Sequence, residues 1–508
     1  MPLRKNGIKI TGILIRLRPS RSQPNLFLRF LNGCVIFNSD KIESEVTEQM
    51  EFYGREQQQK KLNRMLAKNS LQAALIYGRR RVGKSELIKQ CLKKTETLQL
   101  YYECKQTTEM NNVESLSALI SEQLRLPALG FSGMEMLLDY LFRRGEQEEL
   151  VLVLDEYPYL RETVKGMDSV LQSLIDRYKD TSRLKLVICG SYVDTMKSLL
   201  ARENPLYGRM DLIIDLEPMD YYESALFYPG YSSEDRVRLY SVFGGIPYYN
   251  RQIDSSLTVR ENIQELISSP GSRLENEVSM YLRSEISKIS NANEVFEALS
   301  KGFSKYSDLL SQSHVTSGPT LIDVLEKLIS MQVVEKQAPI NEADNRRKSG
   351  YFIVDNLSLF YYRYIFRFLS QRNVLDEDVF YDRYIHEDFE TQYVPRIFET
   401  VCKQYLIRQN RAGKIEPPFD RIGKYYYDDP KTRTNGEFDT VTEDPKGYIF
   451  YESKFRKDPL TLAMIHEEMK QVQATGLNCY KYGFFSRSGF QCDPTESMIF
   501  IPLDELYA

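Results

Sequence analysis

The 508-residue chain is 42% hydrophobic and 27% charged, the balance of a globular protein, and its length suggests about three domains of ~150 residues. No apolar run approaches the roughly 18 residues that span a bilayer, so a membrane protein is not expected. A net charge of −4, three histidines and seven cysteines without a CxxC pair argue against a wholesale polyanion binder, His-based catalysis and a zinc site, and suit a reducing, cytoplasmic setting.

Residues up to Asp40 include Arg4, Lys5, Lys9, Arg16, Arg18, Arg21 and Arg29 but no acid. Such a start can mimic an organellar transit peptide. The plainer reading is a disordered arm, or an extension from too early a start codon. Residues 1–49 are therefore set apart, and "MEFYGREQQQKKLNRML" from Met50 opens the first compact domain, expected over residues 50–270.

The most specific signal is "AALIYGRRRVGKSELIKQCLKK". Ala73 to Tyr77 form a short apolar run suited to a buried strand. Gly78, Arg79, Arg80, Arg81, Val82, Gly83, Lys84 and Ser85 then spell a phosphate loop, and a helical pattern follows at once. Glycine lets backbone wrap closely around phosphate oxygens, and the helix N-terminus offers unpaired N–H groups. Lys84 is placed to reach the β- and γ-phosphates of ATP, and the Ser85 hydroxyl to ligate Mg²⁺. In "LVLVLDEYPYL" a continuous hydrophobic run ends at Asp155, a second Mg²⁺ ligand, directly or through water. Glu156 is the candidate to polarise the attacking water. A third strand, "LKLVICGSYVDTM", brings Ser191 to a position where it can sense the γ-phosphate. Arg209 in "NPLYGRM" is either an arginine finger, in cis or across subunits of a homo-oligomer, or a surface arginine in a turn.

Together "FYGRE", the phosphate loop, "LDEYPYL", "CGS", "LYGR" and "GGIPYYN" resemble the archaeal-type ATPase family, related to AAA+ and to the signal-transduction (STAND) ATPases. The resemblance implies adenine contacts near Tyr53–Arg55, phosphate contacts at Gly83–Ser85 and hydrolysis through Asp155 and Glu156. It also implies that Gly245, Ile246 and Pro247 open a small helical subdomain approaching the nucleotide.

From about Asn293, three helical patterns are followed by two β-rich runs joined by "NEADNRRKSG". That is the order of a winged helix, expected over 271–370, with Arg346, Arg347 and Lys348 at the wing tip. Its third helix carries Asp323, Glu326 and Lys327 and is not notably basic, so DNA contact and a protein-contact hinge both stay open. The aromatic "NLSLFYYRYIFRF" reads as a packing helix.

"GEFDTVTEDPKGYIFYESKF" reads as a β-hairpin. Strand periodicity aligns Glu437 with Asp439, and Tyr448, Phe450, Glu452 and Lys454 with one another. Asp439 and Glu452 could then ligate Mg²⁺ or Mn²⁺, with Lys454 orienting water or offsetting phosphate charge. Acid-x-Lys triplets also occur by chance, as in Glu468-Met469-Lys470. The hairpin's context resembles the PD-(D/E)XK nuclease-like superfamily, in particular the domain of unknown function that follows many archaeal-type ATPases. This covers about 375–508. "YVPRIFETVCKQYL" matches that domain's first helix, with Glu399 as an additional metal carboxylate, and Gln471 lies on the helix expected beside the site. Phe438, unusual between the two acids, is expected to point away from the metal. The expectation is an α/β chain: a P-loop ATPase with a parallel sheet, a winged helix and a restriction-endonuclease-like domain. Nucleotide state would govern either a metal-dependent DNA nuclease or a domain that binds DNA or protein without cleaving.

Overall fold

The computed structural model describes residues 52–286, 289–345, 347–429 and 434–508. The basic extension and Arg346 fall outside the described residues. "ALIY" and "LVLVL" belong to strands β1 (Gln72–Tyr77) and β3 (Leu150–Asp155), each buried at all six positions. With β2 (Leu98–Glu103), β4 (Lys185–Gly190) and β5 (Leu212–Asp215) they form one parallel sheet in the order β2-β3-β4-β1-β5. Alternate side chains feed two cores. Leu75 and Leu152 enter one, while Ile76 and Val153 enter the other. This two-sided burial explains why the runs are apolar without alternation. The phosphate loop follows β1 and leads into helix α1 (Lys84–Leu92), so the candidate ATPase residues gather at the carboxyl ends of the strands.

Helix α2 (Glu277–Glu285) leads to three further helices: α3 (Ile289–Ser300), α4 (Tyr306–Gln312) and α5 (Gly318–Ser330). The α5 start is written locally, with the Ser317 side chain accepting from Thr320 N and Pro319 in the first turn. An antiparallel ribbon, β6 (Val334–Gln337) with β7 (Gly350–Ile353), follows. The aromatic run then packs inward through α6 (Asn356–Phe360) and two irregular turns, with Tyr362 stacked on Phe296 at 4.7 Å.

The last segment places α7 (Val394–Arg411) before a mixed sheet of β8 (Arg421–Asp429), β9 (Thr434–Asp444), β10 (Gly447–Lys454), β11 (Cys479–Ser486) and β12 (Met498–Pro502). Helix α8 (Leu462–Ala474) connects β10 to β11. β8, β9 and β10 are antiparallel, and β11 and β12 continue in parallel. One buried apolar network runs from Leu62 through the middle helices to Leu506. Polar ties cross it, including Tyr221 Oη to Leu506 O at 2.7 Å and Arg487 to Glu234 at 2.5 Å. No helix among the described residues is long and apolar enough to cross a membrane.

Candidate functional site

The loop after β1 is held by geometry that only glycine permits at one end. A Cβ on Gly78 would stand 2.3 Å from Leu216 O. At the other end Gly83 caps α1 with φ 94°, in the left-handed region. Lys84 is buried, and its Nζ donates to Gly78 O at 2.9 Å and Arg79 O at 3.1 Å. Burial pulls its pKa down, against the attraction of Cys189, Glu156 and Asp155. The loop thus surrounds a cation that phosphate oxygens can take over from the two carbonyls.

Ser85 Oγ donates to Asp155 Oδ2 at 2.7 Å, and Tyr101 Oη donates to the same oxygen. Two hard oxygen ligands therefore stand side by side, which fits Mg²⁺. Tyr101 was missed in the sequence, because an aromatic residue in a buried strand reads as core. Glu156 has φ 51°, and its Oε2 accepts from Ser191 Oγ at 2.9 Å. The carboxylate expected to polarise water and the hydroxyl expected to sense the γ-phosphate are thus brought together, bonded to each other.

The three loop arginines separate. Arg79, expected at the phosphates, turns inward and pairs with Asp355 at 2.7 Å, and it is only 2% exposed. A guanidinium this deep requires a carboxylate, and Asp355 lies just beyond β7. Arg80 donates to Tyr192 Oη at 3.0 Å, while Arg81 pairs with Glu277 and covers the Tyr248 ring. Arg80 and Arg81 line a cavity of about 380 Å³, together with Lys84, Ser85, Glu156 and Pro247. Tyr53 and Arg55 line it too, beside Phe227, whose ring meets Tyr53 at 4.8 Å. Arg209 does not line it. Its fork grips Asp176 at 2.9 and 2.8 Å, the behaviour of a turn arginine.

At the C-terminal hairpin, β9 and β10 pair as far as Tyr451 opposite Thr440, so Glu452 and Asp439 lie one step beyond. Between Gly423 and Tyr425, two steps on β8 face three on β9, a bulge that breaks strict alternation. Phe438 consequently enters the domain core against Tyr427 and Phe450. Asp439 and Glu437 instead meet Lys424 at 3.2 and 3.5 Å. Lys454 bonds Glu452 at 2.6 Å and Glu468 at 2.9 Å.

Glu399 on α7 joins this group electrostatically. Burial, then the charge of Asp439, pushes its carboxyl up to about 8 against the pull of Lys424, with Glu452 adding to the rise. Burial also raises Glu452, against Lys454. As the side chains stand, no set of three His, Cys, Asp or Glu among the described residues is arranged to hold a metal ion. Of the three expected metal carboxylates, Asp439 is held by Lys424 and Glu452 by Lys454, while Glu399 meets the other two through their charge. Gln471 is exposed, and Glu468 supplies the α8 contact instead. Lys424 was also missed: its role depends on a strand register that no local motif announces.

Glu399, Glu437, Asp439 and Lys424 line a cleft of about 570 Å³, whose opposite wall includes Lys348 and Phe352 of the ribbon segment. The ribbon is stitched to β8. Asn341 Nδ2 donates to Tyr426 O at 2.7 Å, Tyr426 N donates to Asn341 Oδ1 at 3.0 Å, and Lys348 covers the Tyr426 ring at 3.7 Å. The end of α5 faces the short helix after β4 and the end of α2, with Lys327 at 3.2 Å from Asp194 and 3.6 Å from Glu285.

Residues 52–253 match the family model of an ATPase domain predominantly from Archaea. Residues 361–472 match that of archaea bacterial proteins of unknown function. An uncharacterized protein of Methanocaldococcus jannaschii is 26% identical over 439 residues, spanning 85% of this chain and 94% of that protein. Among solved structures, the Walker-type ATPase of Pyrococcus abyssi is 19% identical, with TM-score 0.47 over 61% of this chain and 96% of its own. The ORC2 protein of Aeropyrum pernix, in ADPNP–ADP complexes, is 13% identical, with TM-score 0.44 over 62% and 93%. Residues 52–253, with the phosphate loop between β1 and α1, thus make a P-loop ATPase domain similar to those found predominantly in Archaea.

Proposed function

We propose that this ATPase uses its nucleotide state to control a C-terminal site directed at nucleic acid. The observation that carries the reading is the buried Arg79–Asp355 pair. Arg79 belongs to the phosphate loop. Asp355 caps α6 immediately after the β6–β7 ribbon, accepting from Ser358 N at 3.0 Å. The segment joining the ribbon strands walls the C-terminal cleft. A rearrangement of the loop around ATP therefore has a packed route to the cleft, through one ion pair and a winged-helix-like unit serving as connector. ATP, with Mg²⁺ on Ser85 and Asp155, occupies the cavity at the end of the parallel sheet. Lys84 meets the phosphates, and Glu156 polarises water once it leaves Ser191.

The test is DNA affinity of the full chain without nucleotide, with ADP and with a non-hydrolysable ATP analogue. Coupling of the usual size shifts affinity by about 5- to 150-fold between states, and Lys84→Ala removes the shift. Equal affinity in all three states would sink the control.

A second reading, cleavage by a PD-(D/E)XK-like centre, is favoured by the crowding of Glu399, Asp439 and Glu452 and by Lys454 on Glu452. It requires Lys424 to leave Asp439. Loss of Mg²⁺- or Mn²⁺-dependent cleavage in both Asp439→Asn and Lys454→Ala supports it. Cleavage that survives Asp439→Asn belongs to another site.

A further inference from the structure

The surfaces that a three-helix-and-ribbon unit would offer to duplex DNA are already engaged. The end of α5 pairs with Asp194 and Glu285, and its exposed positions include the acids Asp323 and Glu326. The segment between the ribbon strands is stitched to Tyr426 and is not free to enter a groove. What remains open is the cleft between ribbon, α7 and the β8–β9 edge. Lys305, Lys348, Arg363, Arg396 and Lys424 face it with three carboxyls, those of Glu399, Glu437 and Asp439.

Some of these cations are committed, as Arg363 is to Asp388 at 2.7 Å. Arg396 is exposed on α7, three residues before Glu399, whose carboxyl feels its charge. Lys305 reaches Glu437 only at 3.9 Å, and its Nζ rests on Lys348 O at 2.7 Å, an uncharged partner that a phosphate oxygen can replace. Phe352 is half-buried in the same cleft, with Lys424 Nζ 5.4 Å from its ring centre. Cations that track a backbone beside an aromatic face are the recurring design of single-strand sites. A space of about 570 Å³ is the size that takes small ligands, room for a nucleotide or so of one strand and too little for a double helix.

Resting on the reading of the C-terminal domain as nucleic-acid-directed, we infer that this cleft binds one unpaired nucleic-acid strand. Lys305 and Arg396 take its phosphates, and Phe352 stacks against a base.

The experiment is fluorescence anisotropy on the full chain in EDTA, so that no cleavage is needed. It compares a labelled single-stranded oligonucleotide, the same sequence as a blunt duplex, and both against a Lys305→Ala/Arg396→Ala variant and Phe352→Leu. Circular dichroism checks that each variant is folded. The expected result is single-strand binding at least about tenfold tighter than duplex binding. The log–log salt slope falls by about 1.4 in the double variant, one step of about 0.7 for each phosphate no longer neutralised, and Phe352→Leu weakens the single strand alone. Duplex binding that equals or exceeds single-strand binding overturns this inference and leaves the proposed function standing. Single-strand binding that the folded variants leave unchanged also overturns it. Failure of both forms to bind, in EDTA and again with Mg²⁺ and ADP or a non-hydrolysable ATP analogue, overturns the proposed function together with it.

Discussion

The hydroxyl of Ser191 donates to Glu156 Oε2 at 2.9 Å, and the Ser191 backbone N–H reaches the same oxygen at 3.2 Å. The carboxylate expected to polarise water is thus tied to the tip of the neighbouring strand. Glu156→Gln should bind nucleotide normally and lose hydrolysis by about 10²-fold or more, the usual worth of a general base. Ser191→Ala separates two roles. If the pair restrains Glu156, basal phosphate release rises by about two- to tenfold, the equivalent of one hydrogen bond of about 0.5–1.5 kcal/mol. A fall in rate would make Ser191 a phosphate contact instead.

Arg79 and Asp355 are 2% and 6% exposed at their side chains. Removing one member of such a pair strands a buried charge, so Arg79→Met should cost about 3–5 kcal/mol, read from the urea midpoint. Arg79→Met/Asp355→Leu should recover most of that loss. It keeps a deficit of about 1 kcal/mol because Asp355 also caps α6. Equal costs for the single and double variants would mean that the pair is not the source of the effect.

What could be read from the sequence was what the chain writes locally. A buried strand, a glycine loop and a helix all lie within the one stretch from Ala73 to Lys94, so their chemistry and placement followed together. The "YIFYESKF" hairpin likewise announced itself by strand period and turn. The direction of each side chain did not. Arg79 meets Asp355 across 276 residues, and nothing near either position signals the other. Glu468, set aside as part of a chance acid-x-Lys triplet, bonds Lys454 because α8 packs on β11, the strand paired with β10. The bulge near Asp439 shifts side chains between faces without changing composition.

Glu399 gives a pH signature. Its carboxyl rises from an ordinary 4.5 to about 8 in the folded chain, so the folded state holds the proton more tightly than the unfolded one. Stability from this group is fully present below about 4.5, is lost as pH rises, and levels off above about 8. Glutamine stays neutral throughout. Without divalent cations, Glu399→Gln should therefore gain stability relative to the parent between about pH 5 and pH 9, followed by urea midpoints. A difference independent of pH would mean that neither burial nor the charge of Asp439 raises the Glu399 carboxyl.

Gly245 tests how the nucleotide cavity is closed from the helical side. Met219 N donates to Gly245 O at 2.8 Å, and a Cβ at Gly245 would stand 1.9 Å from Met219 O. Both neighbours matter to the cavity, since Met219 and Pro247 line it. The added methyl must push the Gly244–Pro247 turn away from Met219, because backbone cannot yield as a flexible side chain can. Gly245→Ala should cost about 1–3 kcal/mol of stability and weaken binding of a fluorescent ATP analogue. Gly208→Ala is the comparison: its φ of 71° carries backbone strain, but no atom lies within 4 Å of the new Cβ. It should leave nucleotide affinity intact. Equal nucleotide affinity in both variants would show that the turn does not shape the cavity.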